Sequence, residues 1–209
     1  MKHETDVTVI LDRSGSMETI ASDVIGGFNQ FLTDQQRQDG DCRLTLVQFD
    51  DRYEVVYLAR PIAGASRLTA ETFEPRGSTA LLDGIGRTID ETGARLAAMP
   101  EPERPDRVLL VIITDGAENA SVVYTRERVF GLISSQRDVY GWSFLFLAAN
   151  QDAIAEAATV GIGAQQSMNF AATGAGIRAA AQSMSAAVSS LRATGTAALA
   201  GPARKKKVH

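Results

Sequence analysis

The sequence predicts an α/β protein, with a mostly parallel central sheet covered by helices on both faces and one antiparallel strand at its edge. Three observations carry this reading. Apolar runs of strand length alternate with stretches whose apolar residues recur every three or four positions, the pattern of strands joined by crossover helices. Residues 108–113 are apolar throughout, as a strand buried on both faces requires. Residues 44–49 and 53–58 are separated only by Asp50, Asp51 and Arg52, which gives a tight hairpin and so the antiparallel pair.

Taken in order, the first strand covers residues 6–11 and stops at Asp12, where Arg13-Ser14-Gly15-Ser16 leads the chain out of the core. A helix follows, marked by Ile20, Val24, Phe28, Phe31 and Leu32. Gly26 and Gly27 weaken it locally, and it ends by Gly40. After the hairpin, residues 59–77 form a long connection punctuated by Pro61, Gly64 and Pro75; connections of that length in compact domains are often functional. It leads into a helix capped by Ser78 or Thr79, with Leu82, Ile85, Ile89 and Leu96 on its apolar face. Residues 100–106, PEPERPD, read as a surface loop.

The buried strand at 108–113 ends in Thr114-Asp115-Gly116. The next helix starts near Thr125 and turns Val129, Leu132 and Ile133 inward. Residues 143–148 form another buried strand, and Asn150 is placed to cap a short helix carrying Ile154. Residues 168–170 form a short last strand. The final helix has the cleanest period, with Ile177, Met184, Val188 and Leu191 on one stripe and alanines filling the rest. Residues 201–209, GPARKKKVH, read as a break followed by a basic tail.

A chain of 209 residues with 44% hydrophobic and 22% charged residues can bury a sizeable core. We read residues 1–200 as a single domain. The net charge of −4 gives no general case for nucleic acid. The cluster Arg204, Lys205, Lys206 and Lys207 would give only weak, salt-sensitive contact with it. Cys42 is the only cysteine, so no intrachain disulfide is expected; a small, buried or half-buried side chain is. No signal-peptide pattern opens the sequence, and no apolar run approaches the roughly 20 residues of a membrane helix. A cytoplasmic location is therefore expected, with export by a route the sequence does not show as the alternative.

The chemistry concentrates where strands end in acid. Asp12, Ser14 and Ser16 lie two apart, so in extended backbone they face one side, with Gly15 allowing a tight turn. Two expected strands end in Asp, at Asp12 and Asp115, and the helix after the long loop begins at Gly77-Ser78-Thr79. Open α/β sheets bind ligands beyond the carboxyl ends of their strands, where strand order reverses. If the three loops converge there, oxygens of Asp12, Ser14, Ser16, Thr79 and Asp115 surround one point. Such an all-oxygen set suits a hard cation such as Mg²⁺.

These residues resemble the metal-ion-dependent adhesion site of von Willebrand factor A domains. All five positions match, in Asp12-x-Ser14-x-Ser16, in Thr79 of Gly-Ser-Thr-Ala and in Asp115 of Thr-Asp-Gly. The resemblance spans about residues 6–195, and small stand-alone bacterial or phage members are the most similar. It implies a doubly wound sheet in which the strands bearing Asp12 and Asp115 are central neighbours. It implies that the serines, and often the threonine, hold Mg²⁺ directly, while the acids act largely through water; Mn²⁺ and Ca²⁺ are the alternatives. It further implies a non-catalytic binding module whose partner supplies an Asp or Glu as the last ligand. An AAA-type ATPase or a component of a stress or phage-conflict system is the kind of partner the family suggests. Any switching would move the final helix.

Two other functions stay open at this stage. One is a Mg²⁺-dependent phosphotransfer or phosphatase enzyme using the same acidic loop, although such sites usually carry a second Asp where this chain has Ser14. The other is metal-mediated self-assembly. A Ser-His-Asp hydrolase is excluded, because the only histidines are His3 and His209, neither placed as a general base. Asp50 and Asp51 read as a solvated hairpin turn rather than a second cation site. Arg13 and Arg76 read as solvated surface arginines, with contact to an acidic partner as the alternative. Glu118 and Asn119 either rim the site or shape its turn. The Gly161-Ile162-Gly163 stretch follows a helix and lacks the rest of a dinucleotide fingerprint, so it is set aside.

Overall fold

The first strand, β1 (Thr5–Asp12), is buried along its whole length, and everything else is laid out from it. A computed structural model describes residues 4–149 and 152–199. In chain order β1 is followed by α1 (Ala21–Gln36), β2 (Cys42–Phe49), β3 (Tyr53–Pro61) and α2 (Leu81–Ala97). Then come β4 (Arg107–Thr114), α3 (Arg126–Tyr140), β5 (Ser143–Ala149), α4 (Ala153–Thr159), β6 (Ser167–Phe170) and α5 (Gly174–Thr194). The sheet has six strands in the order β3-β2-β1-β4-β5-β6. Every pairing is parallel except β2 with β3, the antiparallel edge. Strand order reverses between β1 and β4, so their carboxyl ends define the crevice of a doubly wound sheet.

Alternation along β1 splits the core into two layers. Val7, Val9 and Leu11 face α1 and α5, joined by Leu44, Leu46, Leu109, Val111, Leu145 and Leu147. Ile10 faces the other way with Leu110, Ile112, Phe144 and Phe146, against α2, α3 and α4. The alanines of α5 let it lie close on α1. A side chain at Gly27 would meet Ile177 Cγ2 at 3.2 Å and the Ala181 methyl at 3.3 Å. At the far end Arg192 of α5 donates to the backbone oxygens of Gln35, Gln38, Asp39 and Gly40 and to Gln35 Oε1. It thereby satisfies the carbonyls left open where α1 ends.

Three local expectations change. The edge strand runs past Leu58 to Pro61, through Ala59 at φ 43°. A left-handed alanine and a register shift in the pairing mark a bulge, and an edge strand tolerates the proline. Neither Ser78 nor Thr79 caps α2. Its first turn is capped from elsewhere: Leu82 N donates to Glu118 Oε2 at 2.8 Å and Asp83 N to Ser121 Oγ at 3.0 Å. The short helix α4 is capped by Asp152, which accepts from Ala155 N; Asn150 lies outside the described residues, as do residues 201–209. The helix α3 starts where expected, and the Thr125 hydroxyl caps it by accepting from Arg128 N at 3.2 Å. Cys42 is buried as expected, and desolvation pushes its thiol up to about 11.

Candidate metal centre

At the carboxyl end of β1 the Asp12 side chain is fully buried. One of its oxygens accepts from Ser14 N at 2.7 Å and the other from Thr114 Oγ1 at 2.6 Å. The first bond closes a tight turn that throws Ser14 and Ser16 to the same side. Their hydroxyl oxygens lie 3.1 Å apart, and Ser16 Oγ donates to Asp115 Oδ1 at 2.7 Å. A single chain of hydrogen bonds thus joins Asp12, Ser14, Ser16 and Asp115 across two strands.

Thr79 arrives from the second loop and is buried. A methyl group on Gly116 would come within 2.8 Å of Thr79 Oγ1 and 3.6 Å of Ser16 Oγ, so the threonine hydroxyl faces the same spot. Backbone bonds stitch the loops together. Gly15 N donates to Gly77 O at 3.1 Å and Arg76 N to Arg13 O at 2.8 Å. Asn119 both donates its N–H to Thr79 O at 3.1 Å and accepts Thr79 N on its side chain at 2.9 Å. Glu118 and Asn119 therefore shape the third loop and hold it to α2. Glu118 also accepts from Ala120 N, Ser121 N and Ser121 Oγ. All five residues singled out in the sequence come together.

The donor set fits a small hard cation. Octahedral Mg²⁺ holds oxygens at about 2.1 Å, so neighbouring ligands stand about 3.0 Å apart. The two serine hydroxyls already have that spacing. Among the described residues no group of three or more His, Cys, Asp or Glu side chains is placed to hold a metal; the set here is two carboxylates and three hydroxyls. Charge is left uncompensated. Burial pushes Asp12 up to about 6, and the nearby Asp115 charge adds to the rise. Burial also raises Asp115, against the hydrogen bond from Ser16. Asp12 and Thr79 form a buried floor, while Ser16 is exposed and Asp115 half-buried at the mouth.

The flanking charges are not where the sequence suggested. Asp50 is fully buried, neither a solvated turn nor a second cation site. Arg13 is buried too and turns away from the metal loops to pair with Asp50 at 3.0 Å and Glu54 at 2.6 Å. Arg76, half-exposed, pairs with the same two carboxylates at 3.0 and 2.7 Å. Neither arginine is a solvated surface charge free for a partner. Sequence reasoning also missed Thr114, the donor on Asp12, and Asp83. The Asp83 carboxylate accepts from Val122 N, Val123 N and Tyr124 N at 2.7–3.0 Å and pins the outer part of the third loop. A polar residue just before a strand-end acid is a weak signal; three consecutive acceptor-hungry amides in a loop give none.

This mostly parallel six-stranded sheet with one antiparallel edge has the fold of solved von Willebrand factor A structures. No protein-family model matches the sequence, and no curated protein matches it. Solved structures with the fold do. The chain is similar to the pilus adhesin SpaC of Lactobacillus rhamnosus GG in its open conformation, with TM-score 0.64 and 16% identity, covering 88% of this chain and 30% of that one. It is similar to a von Willebrand factor type A protein of Catenulispora acidiphila, with TM-score 0.57 and 16% identity over 89% of this chain and 42% of that one. It is also similar to proximal thread matrix protein 1 of the mussel byssus with a zinc-occupied metal-ion-dependent adhesion site. There the TM-score is 0.60 and the identity 11%, over 87% of this chain and 47% of that one. The chain spans less than half the length of each of these.

Proposed function

We propose that this chain is a metal-dependent protein-binding module that works in the cytoplasm. Asp12, Ser14, Ser16, Thr79 and Asp115 hold Mg²⁺, and an Asp or Glu of a partner protein completes the coordination. The observation that carries the reading is the convergence of three loops on one point, with the Ser14 and Ser16 hydroxyls 3.1 Å apart. A bound Mg²⁺ supplies a Lewis-acidic position for a carboxylate oxygen. The chain's own residues do the rest. Ser14, Ser16 and Thr79 contribute neutral oxygens, so the two aspartates only balance the ion's charge and leave it able to attract one more anion. The buried Asp12 is held by Thr114 and the Ser14 amide and so cannot swing out to fill that position itself.

The surface beside the site suits a protein partner. A cleft of about 620 Å³ opens next to Ala80, walled by Tyr53 and Tyr124. Val122 and Val123 on the pinned third loop are 89% and 62% exposed, and an ordered apolar pair costs little entropy to bury against a partner. The solved adhesin and byssus protein lend the reading analogy of fold and, for the latter, of a metal-occupied site. Turnover is not part of the proposal. The position two after Asp12 is Ser14, whose hydroxyl cannot serve as the acid/base of aspartate-based phosphotransfer.

Calorimetric titration with Mg²⁺ and Mn²⁺ tests the proposal. The wild-type chain binds one ion, and Asp12→Ala abolishes uptake while circular dichroism stays unchanged. A folded wild-type chain that takes up neither ion at millimolar concentration overturns it.

A further inference from the structure

We propose that Asp50, which touches none of the five candidate ligands, is the positioning residue that aligns two of the three metal loops. The inference rests on the metal-binding reading above and concerns how that site is held. Asp50 sits at the carboxyl end of β2 with its side chain fully buried. One carboxylate oxygen, Oδ2, accepts from Arg13 Nε and from Arg76 Nε, both at 3.0 Å. The other accepts from Arg52 N at 2.6 Å and fixes the hairpin turn. Its backbone oxygen accepts from Ala80 N at 3.0 Å.

Apart from the turn bond to Arg52, the contacts land on residues of the first and second loops. Arg13 lies between Asp12 and Ser14. In extended backbone the side chains on either side of a residue point opposite to its own. Drawing Arg13 down toward Asp50 therefore sets Asp12 and Ser14 facing the crevice. Arg76 immediately precedes Gly77-Ser78-Thr79, and Ala80 follows, so Asp50 grips the second loop on both sides of Thr79. Gly77, at φ +67°, is packed so tightly there that a side chain would meet Asp51 Oδ1 at 2.3 Å. Glu54 bridges the two guanidinium groups from outside, at 2.6 Å from Arg13 and 2.7 Å from Arg76. Two cations and two anions leave the cluster neutral, so it aligns the loops without adding charge to the site.

A buried carboxylate shared by two arginines is costly to desolvate, and an apolar cluster of the same volume would often be as stable. What the ion pairs add is direction. Outer contacts that orient metal ligands are typically worth about 10–100-fold in metal affinity.

The test uses the full chain and two variants. Asp50→Asn keeps the shape and removes the charge. Arg76→Gln changes a half-exposed side chain and cuts only the tether to the second loop. Arg87→Gln, which breaks the exposed pair with Glu91, is the control. Mn²⁺ binding is followed by electron paramagnetic resonance and Mg²⁺ binding by calorimetry, alongside thermal melts. We expect Arg76→Gln to weaken metal binding about 3–10-fold and Asp50→Asn about 10–100-fold, with an altered Mn²⁺ spectrum and no effect of Arg87→Gln. Lower melting temperatures with unchanged affinity and spectrum of the folded protein overturn the inference. If Asp50→Asn does not fold, Arg76→Gln decides. If the wild type binds no metal, the functional reading fails by itself. Amide exchange at Gly15 and Ala80 then judges the alignment: faster exchange in the variants supports it, and unchanged exchange overturns it.

Discussion

Gly116 shows how little room the site leaves. A β-carbon there would stand 2.8 Å from the Thr79 hydroxyl oxygen, closer than side-chain atoms approach one another without a shift. We expect Gly116→Ala to push Thr79 aside and weaken Mg²⁺ binding about tenfold, within the range for disturbed ligand shells, while the melting temperature moves little. Glu118 makes the complementary point. Its carboxylate caps α2 and three loop groups at once. Glu118→Ala should cost about 1–2 kcal/mol in chemical denaturation, the scale of a lost cap, and weaken metal binding through the loosened third loop. At this scale the sequence was half legible. Strand-end acids, paired serines and a helix-start threonine announce themselves by spacing. Asp50 and Arg13 do not. A charged residue in a turn looks solvated until the fold shows its partner, because burial of a charge depends on an ion pair made across residues far apart in the chain.

At the scale of elements, neighbouring glycines in α1 should behave in opposite ways. Nothing lies within 4 Å of a side chain placed at Gly26. Gly26→Ala should therefore stabilise the protein by about 0.5–1 kcal/mol through helix propensity alone. Gly27 faces Ile177 and Ala181 at 3.2–3.3 Å, and Gly27→Val should destabilise it by about 1–3 kcal/mol by overpacking. Urea unfolding of the two variants reads both; equal signs would mean that α1 and α5 do not pack as described. Elements were where the sequence spoke most clearly. Continuous apolar runs marked the strands, buried on both faces, and apolar residues every three or four positions marked the helix faces, since burial writes itself into spacing. The boundaries it missed are those set by tertiary contacts. The first turn of α2 is capped by Glu118 and Ser121 from 36 or more residues away, and β3 continues through a left-handed alanine that no propensity favours.

For the whole molecule, a ligand that binds only the folded state adds stability by mass action, about 2.7 kcal/mol at one hundred times its dissociation constant. Saturating Mg²⁺ should therefore raise the melting temperature of the wild type and leave that of Asp12→Ala unmoved. The same samples in the ultracentrifuge separate a partner carboxylate from one supplied by a second copy. A sedimentation coefficient unchanged by Mg²⁺ keeps the partner external, and a Mg²⁺-dependent rise assigns it to self-assembly. The mostly parallel sheet with its antiparallel edge was legible from alternating patterns and from the hairpin, whereas its doubly wound order came from the resemblance. The pairing of β1 with β4 across a long stretch of chain was implied only by resemblance, since no local signal records which strands become neighbours.

The guanidinium of Arg192 has a consequence for how such a module would be governed. Five oxygens at the end of α1 hold it. For the last helix to slide along the sheet, all of them would have to let go together. The far end of α5 is thus latched to the end of α1, as a hasp rather than a piston.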